Sequence, residues 1–377
     1  MAEHAKCSAS GSHRWMKCTK SIQLESNLPT KTSGYAKEGS HGHAVAEWKL
    51  RKYLKLKAGK KPVNPEYDSK ELDDAVDTYV NLAIEKISEA RARSKDALIV
   101  VEIRVDFSRW VTEGFGTCDL LTVSDGVLEI IDLKMGKGVL VEAKNNSQLM
   151  IYALGALDMF QELYDVELIK MHISQPRLNE GLSSWQLSTQ ELLKWAEQEL
   201  KPKAELAYKG EGEFVAGEHC RFCRAKPICR ERAKVNLELA KYDFEDPEVL
   251  SDREISEVLL KAQELQSWAK DIWEYAQAEA VAGRKKWAGF KVVEGRSNRK
   301  YADEQKVVEA VLNTGDYAED AIYNKKLIGI TDMERLLGKK TFKELLNDLI
   351  EKPAGKPALV LEKDKRCEWN SAVADFK

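Results

Sequence analysis

Two β-rich stretches near the middle of the chain flank a turn sequence. They cover residues 117–123 and 127–133, and Ser-Asp-Gly at 124–126 separates them. Asp-Gly between alternating apolar runs is typical of a two-residue hairpin turn, because both central residues of that turn need a positive φ. In this register Asp119 lies directly opposite Asp132, and their Cβ atoms are expected about 5 Å apart on one face.

Apolar spacing predicts the other elements. Helical spacing predicts helices around 12–18, from 37 onward, over 66–94, over 190–207, and from Ser251, where Ser-Asp-Arg-Glu is a capping-box sequence. β-rich runs predict strands over 97–107 and 169–175. Residues 236–250 are acidic and indicate a boundary. The chain is therefore expected to be α/β, with a first domain over 1–235 and an α-rich C-terminal domain over 236–377.

Composition narrows the class of protein. The 377 residues are 43% hydrophobic and 32% charged, which fits a globular protein with a sizeable core. There is no run of 18 apolar residues and no signal-peptide core at the N-terminus, so we expect a cytoplasmic protein without membrane contact. The net charge of −3 means that any binding to DNA must depend on local basic patches.

The two aspartates of the hairpin share their face with a lysine. Lys134 follows Asp132 at the strand period of two. Burying these charges among aliphatic residues costs free energy. Binding of Mg²⁺ or Mn²⁺ by the two carboxylates would explain why they are there. The alternative is a solvated hairpin face with a cross-strand salt bridge. Glu102, among aliphatic residues of another predicted strand, either lies at the edge of such a site or pairs with Arg104.

Two further spacings bear on this site. Gln148 and Tyr152 are four residues apart and therefore lie on one face of a predicted helix. His43 lies near the start of another predicted helix, one turn before Glu47. A lone helical histidine is more often structural than a ligand, and His41 is a competing candidate.

The order G-x-x-D, D-x-K and Q-x-x-x-Y resembles the RecB-type branch of the PD-(D/E)XK nucleases. The resemblance covers roughly residues 7–235 and implies a restriction-endonuclease-like core, a mixed β-sheet flanked by helices. It implies metal-dependent hydrolysis of phosphodiester bonds in DNA. For this sequence, the resemblance implies that Asp119 and Asp132 bind the metal and that Lys134 completes the catalytic core. It implies that Gln148 and Tyr152 contact DNA.

The same family places a G-x-x-x-H-x-x-x-E element before the two acids. Gly39, His43 and Glu47 match that spacing, so the resemblance implies that His43 is a further ligand of the Mg²⁺ or Mn²⁺ ion. This spacing favours His43 over His41.

Three cysteines lie close together as Cys220, Cys223 and Cys229. Cys-x₂-Cys-x₅-Cys is a strong ligand signal, because the sulfurs can converge at little cost in loop closure. Zinc could take His219 as the fourth ligand, although a residue next to Cys220 is poorly placed for that. The total of seven cysteines, an odd number, also argues against a disulfide framework.

The resemblance extends to phage and prophage nucleases of this type that hold an iron–sulfur cluster and are related to CRISPR adaptation nucleases. In them one cysteine upstream of the nuclease core joins three downstream. On that plan Cys18 joins Cys220, Cys223 and Cys229 around a [4Fe–4S] cluster, with Zn²⁺ as the alternative. Cys7 is the alternative fourth ligand, and Cys118 and Cys367 are expected to be plain thiols.

The C-terminal third contains one basic segment, residues 284–300. Seven basic residues and one acidic residue alternate there with Trp287 and Phe290, which suits phosphate contacts and base stacking. The candidates for DNA binding are Lys285, Lys286 and Arg296. The alternative is a solvated hairpin.

The resulting hypothesis is a metal-dependent DNA nuclease, expected to be an exonuclease, that acts in phage DNA recombination, replication or repair in the cytoplasm of a bacterial host. A phage single-strand-binding or annealing protein is the expected partner. The alternatives are a non-catalytic DNA-binding subunit and a zinc-stapled replication scaffold protein.

Overall fold

A five-stranded sheet forms the centre of this computed structural model. The model describes residues 5–29, 34–178, 181–238, 251–293, 304–313, 329–346 and 349–350. The chain divides into two units, Met1–Ala278 and Glu279–Lys377, and the sheet belongs to the first. The predicted boundary between residues 235 and 236 stays a prediction.

The sheet is mixed, and its strands follow one another in chain order. They are β1 (Leu98–Asp106), β2 (Phe115–Ser124), β3 (Val127–Leu133), β4 (Leu168–Ser174) and β5 (Leu182–Ser188). Neighbouring strands are antiparallel except β3 and β4, which are parallel and are joined through a helix. The predicted mixed α/β architecture, a sheet flanked by helices, is confirmed. Strand β5 was not predicted.

The central hairpin has the predicted register. Its ladder runs from Ser124↔Val127 to Leu120↔Ile131, and the turn residues Asp125 and Gly126 have φ values of 45° and 73°. The chemistry of one Asp-Gly turn therefore fixes which residues of β2 and β3 face each other.

Helices cover both faces of the sheet. The first eight helices in chain order are α1 (Ser12–Trp15), α2 (Ser21–Ser26), α3 (Gly34–Tyr53), α4 (Lys70–Arg93), α5 (Ser147–Phe160), α6 (Thr189–Trp195), α7 (Lys201–Lys209) and α8 (Arg230–Leu237). Because strand residues alternate between faces, Leu120 and Ile131 pack with α3 and α4, while Leu121 and Ile130 pack with α5.

The predicted helix over 190–207 is interrupted. A π-helical turn, Ala196–Leu200, separates α6 from α7, and the N–H of Lys201 bonds to the carbonyl of Ala196. Pro202 explains the interruption, because proline has no N–H and its ring crowds the preceding turn.

The remaining helices are α9 (Asp252–Val281), α10 (Glu304–Leu312), α11 (Ile330–Leu337) and α12 (Lys339–Leu346). Helix α9 is tied to α8 by the buried guanidinium of Arg232, whose Nη1 donates to Asp271 Oδ2 at 2.6 Å. Among the described helices, none is long and apolar enough to cross a membrane.

Close packing of α5 against the sheet depends on Gly155. A Cβ atom at this position would lie 2.8 Å from the carbonyl oxygen of Asp106. We therefore expect Gly155→Ala to lower the free energy of unfolding by about 1–3 kcal/mol. The matched control is Gly39→Ala in α3, where a Cβ would meet nothing within 4 Å. It should leave stability unchanged or raise it by up to about 1 kcal/mol. Urea unfolding measures both, and equal effects would contradict the close approach of α5.

Candidate active site and cysteine pocket

Glu102 of β1 and Asp119 of β2 face each other where the ladder between these strands is interrupted. Val101 pairs with Leu120 on one side and Ile103 with Cys118 on the other, but the ladder does not pair Glu102 with Asp119. Glu102 has a φ of 51°, a left-handed conformation that is rare for a residue other than glycine inside a strand. Such strain, about 1–3 kcal/mol, is typically found at functional sites.

Helix α3 brings an imidazole to these two acids. His43 Nδ1 lies 3.2 Å from Asp119 Oδ1, and ligand atoms of His43, Glu102 and Asp119 all lie within 4.8 Å of one another. His41, the competing candidate, instead has its Nε2 2.7 Å from Asp68 Oδ1. Of the two alternatives for Glu102, the structure places it in the acidic group, while Arg104 stacks on the ring of Phe115 at 3.8 Å.

Burial and mutual repulsion set the protonation of this group. Burial, with the charge of Asp119, raises the pKa of Glu102 to about 8. Burial alone would lower the pKa of His43, but the charge of Asp119 and a hydrogen bond to it raise that pKa to about 9. Burial alone would raise the pKa of Asp119, but His43 and a hydrogen bond from the N–H of Leu133 hold it below its usual value. Without a metal ion, a proton on Glu102 and one on His43 therefore offset the negative charge of the group, and a bound cation would have to displace these protons.

Asp132 lies beside this group in a separate contact triangle. Its Oδ2 is 2.9 Å from Lys134 Nζ, and its Oδ1 accepts a hydrogen bond of 3.0 Å from Gln148 Nε2. Lys134 Nζ in turn donates to Gln148 Oε1 at 3.0 Å. Burial raises the pKa of Asp132, against the opposing charge of Lys134. The group of ligand atoms within 4.8 Å of one another contains Glu102 and not Asp132, and metal binding by Asp132 stays a prediction.

Helix α5 positions Gln148 and Tyr152 on the face predicted. Asn146 caps this helix, and its side chain accepts from the N–H groups of Gln148 and Leu149. Tyr152 is only 6% exposed, and a Cβ on Gly116 would lie 2.8 Å from its Cε1. The glycine of G-x-x-D therefore makes room for the tyrosine ring. A direct contact between Tyr152 and DNA stays a prediction.

A second candidate site is formed by cysteines from two parts of the first unit that are far apart in sequence. Cys18, Cys220, Cys223 and Cys229 line one pocket. Two of the sulfurs accept backbone N–H groups: Val215 N lies 3.5 Å from Cys18 Sγ, and Gly217 N lies 3.4 Å from Cys220 Sγ. We call this site the cysteine pocket.

The other cysteines lie elsewhere. Cys7 is buried in the main hydrophobic core, as is Cys118, and neither lines the cysteine pocket. Cys367 lies outside the described residues. His219 lines the pocket, but its Nε2 lies 2.9 Å from the carbonyl oxygen of Val215. This contact occupies one of its ring nitrogens.

Comparison with known proteins places the chain in a family. A family model described as "Protein of unknown function (DUF2800)" matches residues 4–367. The chain belongs to this family. The match runs through both candidate sites, so both lie within the DUF2800 region.

Solved structures resemble this DUF2800 chain at low identity. A candidate exonuclease from Eubacterium rectale is 16% identical, with a TM-score of 0.33 over 59% of this chain and 88% of that one. An alkaline exonuclease from Laribacter hongkongensis is 13% identical, with a TM-score of 0.23 over 53% of this chain and 92% of that one. The latter has also been solved in complex with dAMP, at a TM-score of 0.21. All of these TM-scores are below 0.5.

The basic segment begins in the second unit. Lys285 and Lys286 are exposed, and Lys285 Nζ lies 5.7 Å from the centroid of the Trp287 ring. Arg284 Nη2 is paired with Glu279 Oε1 at 2.7 Å. Arg296 lies outside the described residues. Binding of nucleic acid by this segment stays a prediction.

The amide of Gln148 joins the two charges of the contact triangle. Replacing it in Gln148→Leu leaves buried hydrogen-bonding groups of Asp132 and Lys134 without that partner. We expect the free energy of unfolding of the metal-free protein to fall by about 1–3 kcal/mol. The matched control is Gln161→Leu, an exposed residue at the end of the same helix. If chemical denaturation shows the same change for both variants, the amide contributes nothing to the site.

Proposed function

We propose that this member of the DUF2800 family is a divalent-metal-dependent nuclease that hydrolyses phosphodiester bonds in DNA. The observation that carries the proposal is the convergence of His43, Glu102 and Asp119 within 4.8 Å, beside a lysine held by Asp132. Metal ligands can hold an ion that activates water, and a fixed ammonium can stabilise the charge that develops when a phosphodiester is hydrolysed.

The donor set suits Mg²⁺ or Mn²⁺. Carboxylate oxygens are the ligands that these hard cations prefer, and one imidazole favours Mn²⁺ more than Mg²⁺. His43, Glu102 and Asp119 would hold the ion. Asp132 would join them through Oδ2, which makes no hydrogen bond of normal geometry although Lys134 Nζ lies 2.9 Å away. The converging nitrogen and oxygen donors and this remaining oxygen both fit a cation.

The chain's own residues supply the rest of the chemistry. A bound divalent ion would polarise the scissile phosphate and lower the pKa of a water molecule. Lys134 stabilises the negative charge that develops on the phosphate and orients the attacking water. Gln148 and Asp132 restrict the ammonium to one position, since both contact it. The hydrogen bond of 2.7 Å from Leu133 N fixes the orientation of the Asp119 carboxylate.

The roles of Asp119 and Lys134 are tested by conservative substitutions. Wild-type protein should cleave end-labelled DNA with Mg²⁺ or Mn²⁺ and stop when the metal is chelated. Asp119→Asn and Lys134→Met should each slow cleavage about 100-fold or more, with circular dichroism unchanged. The control is Asp125→Asn in the hairpin turn, where φ is 45° and asparagine is equally well tolerated. Full activity in Asp119→Asn would contradict the role of Asp119 as a metal ligand.

The same assay separates the remaining alternatives. An exonuclease should degrade linear DNA and leave covalently closed circles intact, whereas an endonuclease should open the circles. A non-catalytic DNA-binding subunit would bind DNA without cutting it. The intact set of Asp119, Asp132 and Lys134 speaks against that alternative.

We also propose that the cysteine pocket holds a [4Fe–4S] cluster. Cys18, Cys220, Cys223 and Cys229 line this pocket together, and four thiolates around one cavity are the ligand set of such a cluster. Burial raises the pKa of Cys18 and Cys220, and that of Cys223 to about 12. The free thiols are therefore protonated, and a bound metal would have to displace their protons.

The cluster is tested by metal analysis after anaerobic purification. Wild-type protein should be brown, sensitive to oxygen, and contain about four iron atoms per chain. Cys18→Ala should lose the iron, because it removes a ligand. Cys7→Ala should retain it, because Cys7 does not line the pocket. The reverse result would make Cys7 the fourth ligand, and stoichiometric zinc in a colourless protein would replace the cluster with Zn²⁺.

A further inference from the structure

Two buried hydrogen-bond donors in the cysteine pocket have no acceptor. Ser21 lines the pocket at 1% exposure, and its hydroxyl makes no hydrogen bond. Arg14 lines the same pocket, and its Nε is likewise buried without a partner. Buried polar groups are nearly always satisfied, so each exception needs an explanation.

Their immediate surroundings offer none. Ser21 is the first residue of α2, where a hydroxyl could bond to the helix, yet its side chain makes no capping bond. The other nitrogens of Arg14 are engaged: Nη2 lies 2.7 Å from Glu25 Oε2, and Nη1 donates to the carbonyl of Phe222 at 3.2 Å. These two contacts hold the guanidinium at the pocket, while its Nε–H has no bond.

The polar groups of the pocket are biased toward donors. Backbone N–H groups of Val215 and Gly217 already reach two of its sulfurs. No carboxylate is among the described residues that line it. Glu25 contacts Cys223 from beside the pocket, and it is paired with Arg14. Donors and positive charge around four sulfurs suit an anionic, sulfur-rich occupant.

We propose that the Ser21 hydroxyl and the Arg14 Nε–H donate hydrogen bonds to the sulfur atoms of the cluster held in the cysteine pocket, and that they set its reduction potential. This proposal rests on the proposed [4Fe–4S] cluster. Reduction adds a negative charge to a cluster, so hydrogen-bond donors to its sulfurs stabilise the reduced form and raise the potential. Partners of this kind also slow metal loss. Ser21 and Arg14 are tuning residues and not ligands.

The test uses Ser21→Ala in the full-length protein, purified anaerobically and compared with Ser26→Ala. Ser26 lies in the same helix, but it is exposed and its hydroxyl donates to the carbonyl of Gln23 at 2.7 Å. Iron content, reduction potential by spectroelectrochemistry, and the rate of iron transfer to a chelator are measured on each. Arg14→Lys is a second variant, which keeps the positive charge and removes Nε–H.

Ser21→Ala should bind iron like wild type, titrate at a more negative potential, and release iron about tenfold faster. Arg14→Lys should change in the same direction, and Ser26→Ala should match wild type. A Ser21→Ala protein with full iron, wild-type potential and wild-type release would overturn the role of Ser21. A wild-type protein without iron would overturn the cluster, and this proposal with it. The two failures are therefore distinguishable.

Discussion

Burial of three carboxylates at one corner of the sheet is the constraint on which the first unit depends. Glu102, Asp119 and Asp132 cannot all ionise there without compensation, because burial and mutual repulsion penalise their charged forms. His43 and Lys134 offset part of that cost, from α3 and from the end of β3. The hairpin register, the cap of α5 and the strained backbone of Glu102 all bring these groups together. The cation proposed above would offset the free-energy cost of burying these carboxylates together.

The two candidate sites meet at one short helix. Ser12 of α1 lies with its Oγ 2.6 Å from that of Ser147, the first residue of α5 and the neighbour of Gln148. From the same helix, Arg14 reaches the cysteine loop through the carbonyl of Phe222. Helix α1 therefore contacts both the start of α5 and the loop of the cysteine pocket. The proposed [4Fe–4S] cluster would support the active site through this helix without taking part in the chemistry.

The parts of the site that sequence could predict are those fixed by local rules. One Asp-Gly turn sets the register of β2 and β3, and therefore places Asp119 near Asp132 and Lys134. Helical spacing alone puts Gln148 and Tyr152 on one face. Glu102 could not be assigned, because its place depends on a left-handed backbone that tertiary packing imposes on a strand residue. The burial of Tyr152 escaped prediction for a similar reason, since it follows from the close approach of Gly116. The interruption after α6 had a visible signal in Pro202.

The proposed function depends above all on His43, Glu102 and Asp119 forming one metal site. Crystals soaked in Mn²⁺ and measured at its absorption edge test this claim most directly, because anomalous scattering locates the ion independently of activity. If the three residues share one ion, an anomalous peak is expected between His43 Nδ1 or Nε2 and carboxylate oxygens of Glu102 and Asp119. A peak on other residues, or no peak at a saturating Mn²⁺ concentration, would contradict it.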